Sequence, residues 1–74
     1  MIINDAIKAM RDAEGLTNAE LARRAGKSSQ YTNDMYKRRD LAMSTSCKFA
    51  EAMGCEVVLR KVGERDGIVI TPKD

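Results

Sequence analysis

The stretch from Leu16 to Arg38, LTNAELARRAGKSSQYTNDMYKR, constrains this chain more than any other. Thr17 and Glu20 form the T-x-x-E pattern in which each side chain satisfies the other residue's backbone N–H, a helix start. Leu16, just before the cap, is placed to staple onto the first turn. Gly26 stands where that helix must end, since glycine takes the left-handed backbone that closes helices at little cost. Ser28 then caps a second helix that runs to about Lys37. Two capped helices around a short glycine turn predict a helix-turn-helix.

At 74 residues the chain is expected to form a single domain. Residues 1–54 read as a helical core and 55–74 as a β-hairpin, with the two-helix motif at about 17–38. A domain this small buries only about 60% of its unfolded surface, and association with a second copy is one way of adding core. Charged residues at 32% and apolar residues at 43% suit a folded chain rather than a disordered one. No apolar run approaches the roughly 18 residues of a membrane span. The opening MIINDAIKAM lacks the basic flank, long apolar stretch and cleavage site of a secretory signal. A cytoplasmic protein with no membrane partner is the expectation.

Cys47 and Cys55 are the only cysteines and there is no histidine. A structural zinc needs four ligands at characteristic spacings, which this pair cannot supply. Two buried, reduced thiols are expected, with a disulfide as the alternative. No metal or other cofactor is expected. The sequence also lacks a phosphate-cradling glycine loop and a nucleophile–base pairing, so catalysis is not expected.

The net charge is +2, and its distribution says more. Residues 17–48 carry seven bases against three acids, a net of +4, whereas residues 49–74 carry four against five, a net of −1. The positive charge gathers around the two-helix motif, which points toward a polyanion.

Periodicity predicts a first helix from about Ile2 to Glu14, with Ile3, Ile7 and Met10 on one face beside Ala6 and Ala13, ending at Gly15. The second helix spans about Asn18–Ala25, with Leu21, Ala22 and Ala25 inward and Arg23 and Arg24 outward. The third spans about Ser29–Lys37 and is polar, with Met35 its one clearly apolar residue and Tyr31 and Tyr36 partly so. A helix that buries so little has another use for its surface. Ser29, Gln30, Asn33 and Asp34 are short hydrogen-bonding side chains suited to base edges. Lys37, Arg38 and Arg39 follow, placed to grip phosphates. A fourth helix is predicted from about Met43 to Met53, with Met43, Cys47, Ala50 and Met53 on its inner face and Phe49 near the edge. After Gly54, EVVLRKV and IVIT are β-branched runs separated by GERDG, a hairpin with a loop of about five residues. Period two puts Val57, Leu59, Ile68 and Ile70 on the face expected to close the core. Val58, Arg60, Val62 and Val69 form the other. An isolated two-stranded hairpin is barely stable in water, so this second face predicts a partner chain.

So arranged, the chain resembles the Cro/repressor-type helix-turn-helix family of bacterial and phage transcription regulators, in its antitoxin-like branch. The likeness covers about residues 3–60 and rests on LTNAELARRAG, the Ser28 cap and SCKFAEAMGCEVVLR. It implies a mainly α fold of four helices followed by a C-terminal hairpin that joins two subunits. Asn18 departs from the family's usual Gln, Lys27 and Thr32 stand where aliphatic residues are usual, and Arg38 stands near a usual Gly. A looser seat beneath the third helix follows, with Lys27 snorkelling outward.

The resemblance implies a homodimeric repressor that binds double-stranded DNA, its third helix in the major groove and its second across the backbone. Ser29 and Gln30 are the leading base readers, with Asp34 one turn on and Asn33 and Tyr31 secondary. Thr17, Asn18, Lys27, Ser28, Lys37, Arg38 and Arg39 would hold phosphates. The alternative is an antitoxin or anti-repressor whose main partner is a toxin or another protein.

Overall fold

The capping signals and apolar spacing translate directly into helices. In the computed structural model, which describes residues 1–72, the order is α1 (Ile3–Ala13), α2 (Asn18–Ala25), α3 (Ser29–Met35), α4 (Met43–Ala52), β1 (Val57–Leu59) and β2 (Ile68–Ile70). Lys73 and Asp74, the last two positions of the hairpin segment, lie outside the described residues. The fold is mainly α, four helices followed by a two-stranded antiparallel hairpin.

Phe49, Leu21, Ile7, Met35 and Met53 form the buried cluster at the junction of the four helices, with Phe49 and Leu21 fully enclosed. Leu16 packs against this cluster from the loop before α2, as its stapling position requires. Phe49 was expected near the edge of α4 and instead sits at the centre. Met43, expected inward, is the first residue of α4 and is 53% exposed. The inner face of α4 is Ser46, Cys47, Phe49, Ala50 and Met53. Met10, toward the far end of α1, is 39% exposed.

The seat beneath α3 is tight despite its polar sequence. Thr32 is completely buried, and its hydroxyl donates to the carbonyl of Ser28 at 3.1 Å. Ser46 does the same toward Ala42 at 3.0 Å on α4. Bonding back one turn lets a hydroxyl occupy an apolar site without an unpaired polar atom.

The hairpin departs further from expectation. Its register is Val57↔Ile70, Val58↔Val69 and Leu59↔Ile68. The base, Val57 and Ile70, is half-buried beside α4, where the Cys47 thiol donates to the Ile70 carbonyl at 3.5 Å. The far end overhangs the body, with Leu59 at 66% and Ile68 at 70% exposure. One face therefore closes the core at its base alone. The loop runs from Arg60 to Gly67, eight residues rather than about five, because pairing stops at Leu59. Both cysteines are free thiols, Cys47 buried as expected and Cys55, just past the turn after α4, only half-buried. No helix among the described residues is long and apolar enough to cross a membrane.

Candidate nucleic-acid interface

The turn between α2 and α3 sets the geometry. Thr17 Oγ1 accepts from the Glu20 N–H at 3.1 Å while Glu20 Oε1 accepts from the Thr17 N–H at 3.3 Å, so the expected capping box is present. The Thr17 N–H first, and then the Thr17 hydroxyl, which donates to the same Oε1 at 3.1 Å, hold the Glu20 carboxyl below its ordinary pKa. Gly26 has φ of +71°, and beyond it the Lys27 N–H closes onto the Ala22 carbonyl at 2.8 Å. Ser28 Oγ then accepts from the Tyr31 N–H at 3.0 Å and opens α3.

Because Thr32 and Met35 face the core, Ser29, Gln30 and Asn33 are left on the outer surface of α3. Asp34 is half-buried, and both its carboxylate oxygens accept from Gln30 Nε2 at 3.2 Å, a contact one helical turn long. The outer face is thus continuous from Ser29 to Asn33, and Gln30 is braced along it.

Tyr31 sits elsewhere. Its ring lies parallel to Phe49, centroids 6.4 Å apart, at the edge of the core. The Lys27 ammonium stands 5.0 Å and the Arg38 guanidinium 5.9 Å from the Tyr31 ring centroid. Such contacts are worth about 0.5–1 kcal/mol each where solvent reaches them. Tyr31 therefore holds two cations beside α3 rather than joining its outer face, and Lys27 lies folded along the ring, half-buried.

Lys37, Arg38 and Arg39 are exposed just past the end of α3. Among the described residues the one ion pair is Arg11–Asp12, at 2.6 Å, so these cations carry uncompensated charge. Ser28 is exposed at the opposite, N-terminal end of α3, whereas the Thr17 hydroxyl is turned to Glu20 at 3.1 Å. Asn18 is occupied at both ends. Its Oδ1 accepts from Arg11 Nη1 and, at 3.1 Å, from the Tyr36 hydroxyl, and its Nδ2 donates to Asn33 Oδ1. Arg11 also lies 5.5 Å from the Tyr36 ring centroid. Burial pushes the Tyr36 phenol above its ordinary pKa, so it stays protonated as a donor.

Two residues of this network escape a reading by sequence. Arg11 belongs to α1, outside the basic stretch, and Tyr36 reads as a partly apolar residue at a helix end. Arg11 is spaced one helical turn beyond Ile7, the one pattern that places it against the α2–α3 seam.

On the hairpin, Val58 and Val69 pair across the strands on one face, 40% and 48% exposed. Arg60 and Val62 lie in the loop past the end of β1, where the strand alternation that grouped them with Val58 no longer holds. Comparison with protein-family models, with curated proteins and with solved structures returns no match, so the reading of this surface rests on the residues themselves.

Proposed function

We propose that the protein is a sequence-specific DNA-binding transcription regulator that acts as a homodimer and represses by occupying its operator. One observation carries this reading. The Gly26 turn presents a helix whose outer face is Ser29, Gln30 and Asn33, flanked by cations without acidic partners. Short amide and hydroxyl side chains match base edges in the major groove. Ser28, Lys27, Lys37, Arg38 and Arg39 supply phosphate contacts that orient without selecting sequence.

Two subunits would place their α3 helices about 34 Å apart, on a near-palindromic site. If each subunit neutralises about four phosphates, binding falls with salt at a logarithmic slope of about −7. A mobility-shift series from low to moderate salt tests this. A steep loss of affinity is expected, and affinity independent of salt would sink the mechanism.

The overhanging end of the hairpin favours a second reading, in which the main partner is another protein such as a toxin. Leu59, Val62 and Ile68 are exposed there together with Val58 and Val69. The homodimer is preferred because self-association covers this surface and also supplies the second α3 that a palindromic site requires.

A further inference from the structure

The network at the α1–α2–α3 seam fixes more than helix packing. Arginine carries hydrogen-bond donors and no acceptor. Whatever Asn18 atom faces Arg11 must therefore be its carbonyl oxygen, Oδ1, and the protonated Tyr36 hydroxyl donates to the same atom. The Asn18 amide is thereby oriented, with Nδ2 turned toward α3. There it meets Asn33, which must in turn offer its own Oδ1. Asn33 is exposed, and among the described residues its Nδ2 has no partner. The direction of both amides follows from the one member of the chain that can only donate.

We infer that the Arg11–Asn18 relay turns the Asn33 Oδ1 toward Asn18 and presents its Nδ2 to DNA, so that this position favours guanine over cytosine. The inference rests on the DNA-reading function proposed above. An unconstrained asparagine pairs best with adenine, accepting from N6 with Oδ1 while donating to N7 with Nδ2. With Oδ1 turned toward Asn18 rather than toward the base, Asn33 no longer presents both amide atoms side by side to adenine, and that pairing is weakened. Guanine offers two acceptors in the major groove, O6 and N7, and suits an Nδ2 with both hydrogens available. Cytosine shows only the N4 donors, which oppose it. A base is favoured over a phosphate because Asn33 shares the outer face of α3 with Ser29 and Gln30, one turn apart. Asn18 and Arg11 are positioning residues in this scheme.

The relay can be reversed by chemistry rather than broken. Asn18→Asp replaces the amide with a carboxylate that accepts at both ends. Arg11 and Tyr36 still have their acceptor, but Asn33 must now turn Nδ2 inward and Oδ1 outward. The test uses the sequence that the unaltered protein enriches from random duplex DNA, with each position then permuted and affinities measured by anisotropy. The unaltered protein is expected to favour guanine over cytosine by about tenfold at one position per half-site, and Asn33→Ala to abolish that preference alone. Asn18→Asp is expected to lower affinity for all sequences through its added charge and to reverse the order of guanine and cytosine at that position. On the free protein, the Asn33 side-chain amide signal should move downfield and exchange more slowly with water in Asn18→Asp. A uniform affinity loss with unchanged base order, or an unmoved Asn33 amide, would overturn the relay. Loss of affinity on every sequence alike in Asn33→Ala would assign it to phosphate and overturn the base reading. Enrichment of no sequence at all would remove the DNA function and this inference with it.

Discussion

Asn4 is fully buried on α1, where a polar side chain costs stability unless it is bonded. Its Nδ2 donates to the Met35 carbonyl at 2.7 Å and, more weakly, to that of Asp40 at 3.5 Å. Met35 is the last residue of α3, and its carbonyl also accepts from the Arg38 N–H at 3.1 Å, so Asn4 joins that helix end and ties down the loop behind it. Asn4→Ala should lower unfolding free energy by about 1–3 kcal/mol in urea titration, an unchanged midpoint being the contrary result. Glu20 acts at the same scale. Its carboxyl is held below its ordinary pKa, so its stabilisation is present above the unfolded-state value and is lost as pH falls through the folded one. Thermal midpoints measured downward from about pH 5 should fall less steeply in Glu20→Gln than in the unaltered protein. Neither Asn4 nor the Arg11–Asn18–Tyr36 contacts were legible in the sequence. Apolar periodicity marks which face of a helix turns inward, and it is silent on a polar residue that turns inward to meet a distant carbonyl.

Helix boundaries were the most legible elements, because caps are local chemistry. The T-x-x-E box, Gly26 and Ser28 fix the limits of α2 and the start of α3 within a few residues of one another. Gly26 has a positive φ, and a Cβ added there meets nothing within 4 Å. Gly26→Ala should thus cost only the backbone strain, about 1–2 kcal/mol, and keep the fold. Gly67 is the opposite case. A Cβ there would stand 2.5 Å from Val58 Cγ1 and 2.7 Å from the Leu59 carbonyl oxygen. Gly67→Ala should separate β1 from β2, seen as lost Val58–Val69 cross-strand contacts by NMR, while helical content persists. Intact contacts would contradict this account of the loop. The hairpin's shortness was not legible, since β-branched runs mark where strands can form and not where close backbone approach ends them. The placement of Phe49 was missed for a related reason. Cys47, Ala50 and Met53 lie inward as expected, but a face centred on the line from Met43 places Phe49 to its side, whereas Phe49 is fully buried and Met43 exposed.

At the scale of the whole molecule, the question is what covers the hairpin. Its base is anchored by Val57 and Ile70, and its far end leaves Leu59, Val62 and Ile68 in solvent. If a second copy covers the Val58–Val69 face, Val58→Glu should halve the mass measured in solution and weaken binding to a full operator. An unchanged mass would favour a different protein as the partner. The sequence could signal the basic motif and the apolar hairpin separately, but not how far the hairpin projects from the core. The central claim is that the outer face of α3 reads base sequence. Selection of bound sites from random duplex DNA by the purified protein tests it most directly. The account predicts an enriched two-fold-symmetric motif with half-sites about 10 base pairs apart, lost when Gln30 and Asn33 are both replaced by alanine. Binding with no sequence enrichment, or enrichment that survives that double substitution, would contradict it.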